Sequence, residues 1–195
     1  MKNLFLFLCL FHLMILTESC ANRKVKRIDP NQQTDISGRW NDTDLKLVAN
    51  EMITDVLSNA WRKNFETKFN RKPVVIVGSV RNKTSEYIDA TMLIKMIERA
   101  FINSQAVGVV QRGDDRNQLR EERNDQQTFS SEESKKKWGK EKGADYMLNG
   151  VITSIVDEYK KQKTVAYQIN LELTDLETNE IVWIGDKPIK KYIKN

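Results

Sequence analysis

Three side chains belong to the types that most often act as nucleophiles or metal ligands: Cys9, His12 and Cys20. His12 is the only histidine of the chain, and Cys9 and Cys20 are its only cysteines. Residues 21–195 therefore hold no imidazole and no thiol. That excludes from this stretch Ser-His-Asp and Cys-His catalysis, zinc sites of His/Cys type, haem ligation by His or Cys, and disulfides. Carboxylates could still do general acid/base work, but among 27 acidic residues no pair stands out. No catalytic residue, no metal ligand and no small-molecule substrate is expected, and the chain reads as a non-enzyme.

Cys20 is the residue with a chemistry of its own. Lys2 precedes an apolar run at residues 4–16, and Ser19, a small residue, stands before Cys20. A run of thirteen residues, apolar but for His12, falls short of the roughly 20 needed to span a bilayer. It fits the apolar core of a secretory leader. A cysteine placed directly after such a leader can become the first residue of a lipoprotein: its thiol is alkylated by a diacylglycerol and the leader is cut off. Thr17 stands where leucine is usual in that motif, with Leu16 one place back. The expectation is a signal peptide at 1–19 and lipid, a diacylglycerol plus an acyl chain such as palmitate, on Cys20. An ordinary cleaved signal, leaving a soluble periplasmic protein with a free thiol, is the alternative.

The net charge is +5, and charged residues of both signs make up 30% of the chain, interspersed. This is the surface of a soluble domain rather than a nucleic-acid stripe, so no nucleic-acid partner is expected. No internal repeat, Gly-rich phosphate loop or calcium loop occurs.

Residues 20–38 read as a tether. Arg23, Lys24, Lys26 and Arg27 could pair with anionic headgroups or form a solvated linker. Residues 39–195 form one domain. Asn41 or Asp42 caps a helix with apolar rows at Leu45, Val48, Met52, Val56 and Ala60, and at Ile53, Leu57 and Trp61, running to about Phe69. Residues 73–78 are a continuously apolar strand, 79–89 a polar loop, 90–104 a second helix and 106–110 a second short strand. The charged stretch 114–143 reads as two helices, 114–125 and 131–142. Residues 144–159 form a long strand, with Gly150 a candidate bulge. Val165, Tyr167, Ile169, Leu171 and Leu173 alternate with polar neighbours in the next strand, and 180–185 close the sheet. The order α-β-α-β-α-α-β-β-β gives an α/β (α+β) domain. Its mixed sheet has about five strands, helices packed on it, and a closing antiparallel meander.

Candidate binding residues follow from position. Arg39 and Trp40 stand at the start of the first helix, where a tryptophan serves either an interface or packing. Ser79, Arg81, Asn82, Lys83 and Thr84 follow a buried strand, where α/β sheets place functional loops, although a simple capping loop reads equally well. Trp138, among lysines, is either an exposed anchor or a pin for a charged helix. Tyr167 and Trp183 read as core.

Four segments resemble the LpoB family of outer-membrane lipoproteins that activate bifunctional penicillin-binding proteins. They are Ser37-Gly-Arg-Trp-Asn-Asp-Thr-Asp44, Val77-Gly-Ser-Val-Arg-Asn-Lys-Thr84, Lys142-Gly-Ala-Asp-Tyr-Met-Leu-Asn-Gly150 and Glu177-Thr-Asn-Glu-Ile-Val-Trp-Ile-Gly185. The last is shared with α/β domains of the TolB amino-terminal and CsgG kinds. The resemblance implies such a domain and a non-catalytic regulator of peptidoglycan synthesis. The cell outer membrane, on its periplasmic side, would hold the anchor, and the partner would be a penicillin-binding protein contacted through a small non-catalytic domain. Ala21 after Cys20 accords with outer-membrane sorting. Enteric members carry a long proline-rich tether; the one here is short, with a coil reach of about 25 Å. An envelope assembly or secretion lipoprotein of CsgG/TolB-like type is the second reading.

Overall fold

A computed structural model describes residues 24–194. The chain divides into two units, residues 1–32 and 33–195. In the first, residues 24–32 are exposed and contain one turn. There the Gln32 N–H donates to the Asp29 carbonyl (3.0 Å) and the Asn31 N–H to Asp29 Oδ1 (2.8 Å). The expected leader, Cys20 and Arg23 lie outside the described residues. Among the described residues no helix is long and apolar enough to cross a membrane.

The second unit begins at Gln33, upstream of the expected domain start at Arg39. Asp35 accepts hydrogen bonds from Asn41 Nδ2 and Lys191 Nζ. Gly38, at φ +70°, lies so close to Ile193 that a Cβ would meet its side chain at 2.4 Å.

Helix α1 spans Asp42–Ser58. Asn41 is its cap: Asn41 Oδ1 accepts from the Thr43 and Asp44 N–H groups, and Asp44 Oδ2 accepts from the Asn41 N–H. The single helix expected to run to Phe69 is broken at Asn59, which is extended and caps α2, Ala60–Phe69. The Trp61 indole N–H donates to the Val56 carbonyl at 2.8 Å, satisfying an acceptor in the last turn of α1. Helix α3 covers Thr91–Ser104.

Strands β1 (Val74–Asn82), β2 (Gly108–Val109), β3 (Tyr146–Tyr159), β4 (Gln162–Asp175) and β5 (Ile181–Lys194) form one sheet in the order β2-β1-β3-β4-β5. β1 pairs in parallel with β2 and β3, while β3-β4-β5 are antiparallel. The mixed sheet with its closing meander is the expected fold class. Helix α1 packs on β5, α3 on β1 and β2, and the two helices on each other. They cover one face of the sheet. Leu45, Val48, Met52 and Val56 from α1 and Leu93, Ile97 and Phe101 from α3 share one core with Val75, Val77, Leu148, Ile152 and the alternating set from Val165 to Leu173. Each such side chain contributes about 1.5–3 kcal/mol by leaving water. Tyr167 and Trp183 are buried there, as their strand positions imply.

Several expectations are corrected. β1 does not stop at Gly78. A bulge between Val77 and Val80 absorbs the glycine, and the strand continues to Asn82, so Ser79, Arg81 and Asn82 are strand residues and the loop starts at Lys83. The bulge lies on β1, opposite the candidate at Gly150. One helix, α4 (Gly113–Phe129), occupies the charged stretch; residues 131–142 are turns and irregular chain rather than a helix. No residue of α4 is buried, so nothing apolar fixes a second helix beside it. β5 continues past Gly185 to Lys194. Pro188, which has no N–H, is tolerated because β5 is an edge strand.

Candidate functional site

The residues singled out in the sequence separate into an interior group and an exposed group. Trp40, Asn82 and Thr84 belong to the interior group, joined by Glu86. The Glu86 carboxylate accepts from the Trp40 N–H at 3.0 Å and from the Tyr167 hydroxyl at 2.7 Å. Asn82 Nδ2 donates to the Glu86 carbonyl, and Asn82 Oδ1 accepts from the Thr84 N–H and hydroxyl. Thr84 Oγ1 in turn accepts the Glu86 N–H. The Trp40 ring meets Tyr167 edge-on at 5.5 Å. Burial, and then the bond to Glu86, push the Tyr167 hydroxyl well above its usual pKa, so it remains a neutral donor. This knot fastens the start of α1 to the centre of the sheet through the loop after β1.

A second knot lies beside it. Lys191 Nζ reaches Asp44 Oδ2 and Asp35 Oδ1, both at 2.7 Å, and donates to the Arg39 carbonyl at 2.9 Å. Asp44 is the buried charged residue of the described core, 3% exposed. Burial opposes the charge on Lys191, but its hydrogen bonds to the two carboxylates prevail and raise its pKa. Lys191, with help from Asn41, holds Asp35 below the usual carboxylate range. Both knots fasten the fold: every charge in them faces a hydrogen-bond partner.

Arg39, Ser79, Arg81, Lys83 and Trp138 are exposed. Arg81 stands on the outer face of the sheet in register with Val151 and Asn170. The Ser79 N–H donates to Asn149 Oδ1 at 3.1 Å. Trp138 lies elsewhere, its ring 5.9 Å from the Arg123 guanidinium of α4. Glu141 binds that segment to α4 through Arg120 (2.9 Å) and Arg123 (2.8 Å), which together hold its pKa down at about 2.

Sequence reasoning also missed a cleft of about 470 Å³ at the start of β3, lined by Trp61, Phe65, Phe69, Tyr146, Asp175 and Ile181 among others. Phe65 and Trp61 meet Tyr146 edge-on at 5.6 and 5.2 Å. Arg71 lies 4.8 Å over Phe65 and forks onto Asp145 at 2.8 and 2.7 Å, holding that carboxyl below its usual range. The available signal was the i, i+4, i+8 row Trp61, Phe65, Phe69. Its outer end, Phe69, is exposed. An aromatic-walled cleft with a polar rim suits an apolar side chain of a protein partner better than a reacting substrate. Among the described residues, no group of three or more His, Cys, Asp or Glu could hold a metal ion.

Residues 44–189 match a family described as the peptidoglycan-synthase activator LpoB. Of solved structures, the LpoB C-terminal domain from Salmonella enterica is similar at 16% identity, covering 75% of this chain and 98% of that one, with a TM-score of 0.44. The C-terminal domain from Escherichia coli LpoB is 19% identical, with 69% and 95% covered and a TM-score of 0.37. Lipoprotein GNA1162 from Neisseria meningitidis is 12% identical, with 62% and 83% covered and a TM-score of 0.36. No curated protein matches the chain. With most of its length, from Asp44 through β4 and into β5, inside one family model, the chain belongs to the LpoB family of peptidoglycan-synthase activators.

Proposed function

We propose that this chain is a membrane-anchored, non-catalytic activator of a bifunctional penicillin-binding protein. Lipid on Cys20 holds it to the periplasmic side of the outer membrane, and the domain from Gln33 onward contacts the synthase. The observation that carries this reading is the family match over residues 44–189. The lack of any histidine or cysteine after Cys20 supports a role exerted by binding. Binding the active conformation of the synthase more tightly than the inactive one shifts that equilibrium without any chemistry by the activator.

Two measurements test it. Purified residues 21–195 bind the non-catalytic ectodomain of the organism's own bifunctional penicillin-binding protein in a saturable, one-to-one titration; no binding to any such synthase rejects the reading. In cells, labelled palmitate enters the full chain and not a Cys20→Ala variant. Label in both, or in neither, rejects the anchor.

A further inference from the structure

The far end of the sheet carries a surface that the activator reading does not use. β3 and β4 pair along their whole length, and the last residues of β3 with the first of β4 extend beyond the end of β1 at Asn82. On the outer face of this tip, Ile155 stands opposite Ala166 and Lys190, Asp157 opposite Thr164 and Tyr192, and Tyr159 opposite Gln162 and Lys194. Ile155, Tyr159 and Tyr192 are 75%, 72% and 60% exposed. Such large side chains are normally withdrawn from water, and here three of them share the outer face of one sheet tip. Lys160 and Lys161 form the turn, and Lys190 and Lys194 line the β5 side. Lys160 lies 5.1 Å over the Tyr159 ring. Among the described residues none of these four lysines is ion-paired. Of the nearby acids, Glu158 faces Lys163 at 3.9 Å, which leaves Asp157 as the opposing charge on the outer face.

Tyrosines with an apolar body and a wet tip, an exposed isoleucine and a ring of unpaired lysines match the chemistry of a membrane–water interface. The position of the patch selects the same partner. Asp35 is tied to Lys191, and Gly38 lies against Ile193, so the chain enters the folded unit at this end of the sheet. Residues 21–32 are all that separate Cys20 from Gln33, and even fully extended they reach only about 45 Å.

We infer that the β3–β4–β5 tip, through Tyr159, Tyr192, Ile155 and the lysines around them, docks on the anionic bilayer that holds the lipid anchor. This rests on the anchored reading of Cys20. Docking turns the opposite end of the sheet, with the Trp61–Tyr146 cleft about 40 Å along β3, away from the membrane and toward a partner in the envelope.

The test uses residues 21–195 without lipid, sedimented with vesicles of phosphatidylcholine containing about one-third phosphatidylglycerol. A second arm uses phosphatidylcholine alone, and a third uses purified peptidoglycan sacculi. The chain binds the anionic vesicles in preference to both. Lys190→Glu with Lys194→Glu weakens that binding by at least about twentyfold, and Tyr159→Ser with Tyr192→Ser weakens it several-fold, with melting temperatures unchanged. Equal binding by the variants, which places the contact at residues 23–27, overturns the inference. So does equal binding to neutral vesicles, or a preference for sacculi. Synthase stimulation by the same variants, measured in detergent without vesicles, stays at the wild-type level, so the docking and the activator reading fail separately.

Discussion

Gly78 makes room for the side chain of Asn149. A Cβ on Gly78 would stand 2.1 Å from Asn149 Oδ1 and 3.0 Å from the Leu148 carbonyl, and that same Oδ1 accepts the Ser79 N–H at 3.1 Å. The bulge of β1 is thus closed by a side chain from β3 where the ladder has no partner to offer. Gly78→Ala expels Asn149 and takes from the Ser79 N–H its acceptor, a bond worth about 0.5–1.5 kcal/mol. Asn149→Ala removes the same bond, so adding Gly78→Ala to it costs less than either change predicts alone. Chemical denaturation of the four proteins measures the coupling; strict additivity contradicts this account of the bulge.

The Glu86 carboxylate holds two donors that are far apart in sequence. Tyr167→Phe keeps the ring and its contact with Trp40 but removes one donor to a charged group, lowering stability by about 1.5–3 kcal/mol. Glu86→Ala frees the Trp40 N–H as well, and the Trp40 fluorescence shifts to the red in the folded state. Unchanged emission and melting temperature would show that the knot does not hold the start of α1.

Acid loosens the fold through three ion-paired carboxyls. Lys191 holds Asp35, Arg71 holds Asp145, and Arg120 with Arg123 holds Glu141, each below its usual pKa, with Glu141 at about 2. A carboxyl depressed in the folded state stabilises it above the unfolded pKa and loses that contribution as pH falls through the folded one. The melting temperature is therefore level near neutrality and falls below about pH 4.5, with the Glu141 contribution lost only as pH nears about 2. Glu141→Gln removes the Glu141 part of that fall and frees the Trp138 segment from α4. A melting temperature that is flat across this range contradicts the ion-pair account.

The exposed and interior candidates should behave oppositely. Trp40→Ala costs about 2 kcal/mol or more through lost packing. Arg81→Glu, Lys83→Glu and Trp138→Ala leave the melting temperature within about 1 °C, because exposed substitutions of this kind change little. If any of these three lies in the partner contact, its synthase affinity falls while its stability holds. A stability loss at Arg81 or Lys83 would instead assign them to the scaffold.

Period-two alternation made β4 legible from Val165 to Leu173, because one face is uniformly apolar and buried and the other is only half-buried. The same rule hid the second half of β5. Its inner face carries Lys187 and Lys191, which are neutralised by Glu51 and by Asp35 and Asp44, and only tertiary pairing makes them interior residues. Gly78 read as a breaker because a glycine in a strand marks either an end or a bulge, and the partner that decides lies 71 residues on, at Asn149. The charged composition of 131–142 allows a helix, but the segment lacks the apolar row that fixes a short one. Glu86 gave no signal, since one carboxylate in a polar loop resembles any other until the fold brings Trp40 and Tyr167 to it. The cleft at Trp61 and Phe65 was half legible: the aromatic row was visible, but not that its end projects past the core.

The activator reading is tested most directly by the rate of glycan-strand synthesis. The organism's purified bifunctional penicillin-binding protein is assayed with increasing amounts of residues 21–195 in detergent. A saturable rise in rate, with half-maximal effect near the dissociation constant measured by direct titration, is the predicted result. A rate that stays flat at concentrations where the two proteins are bound would contradict it.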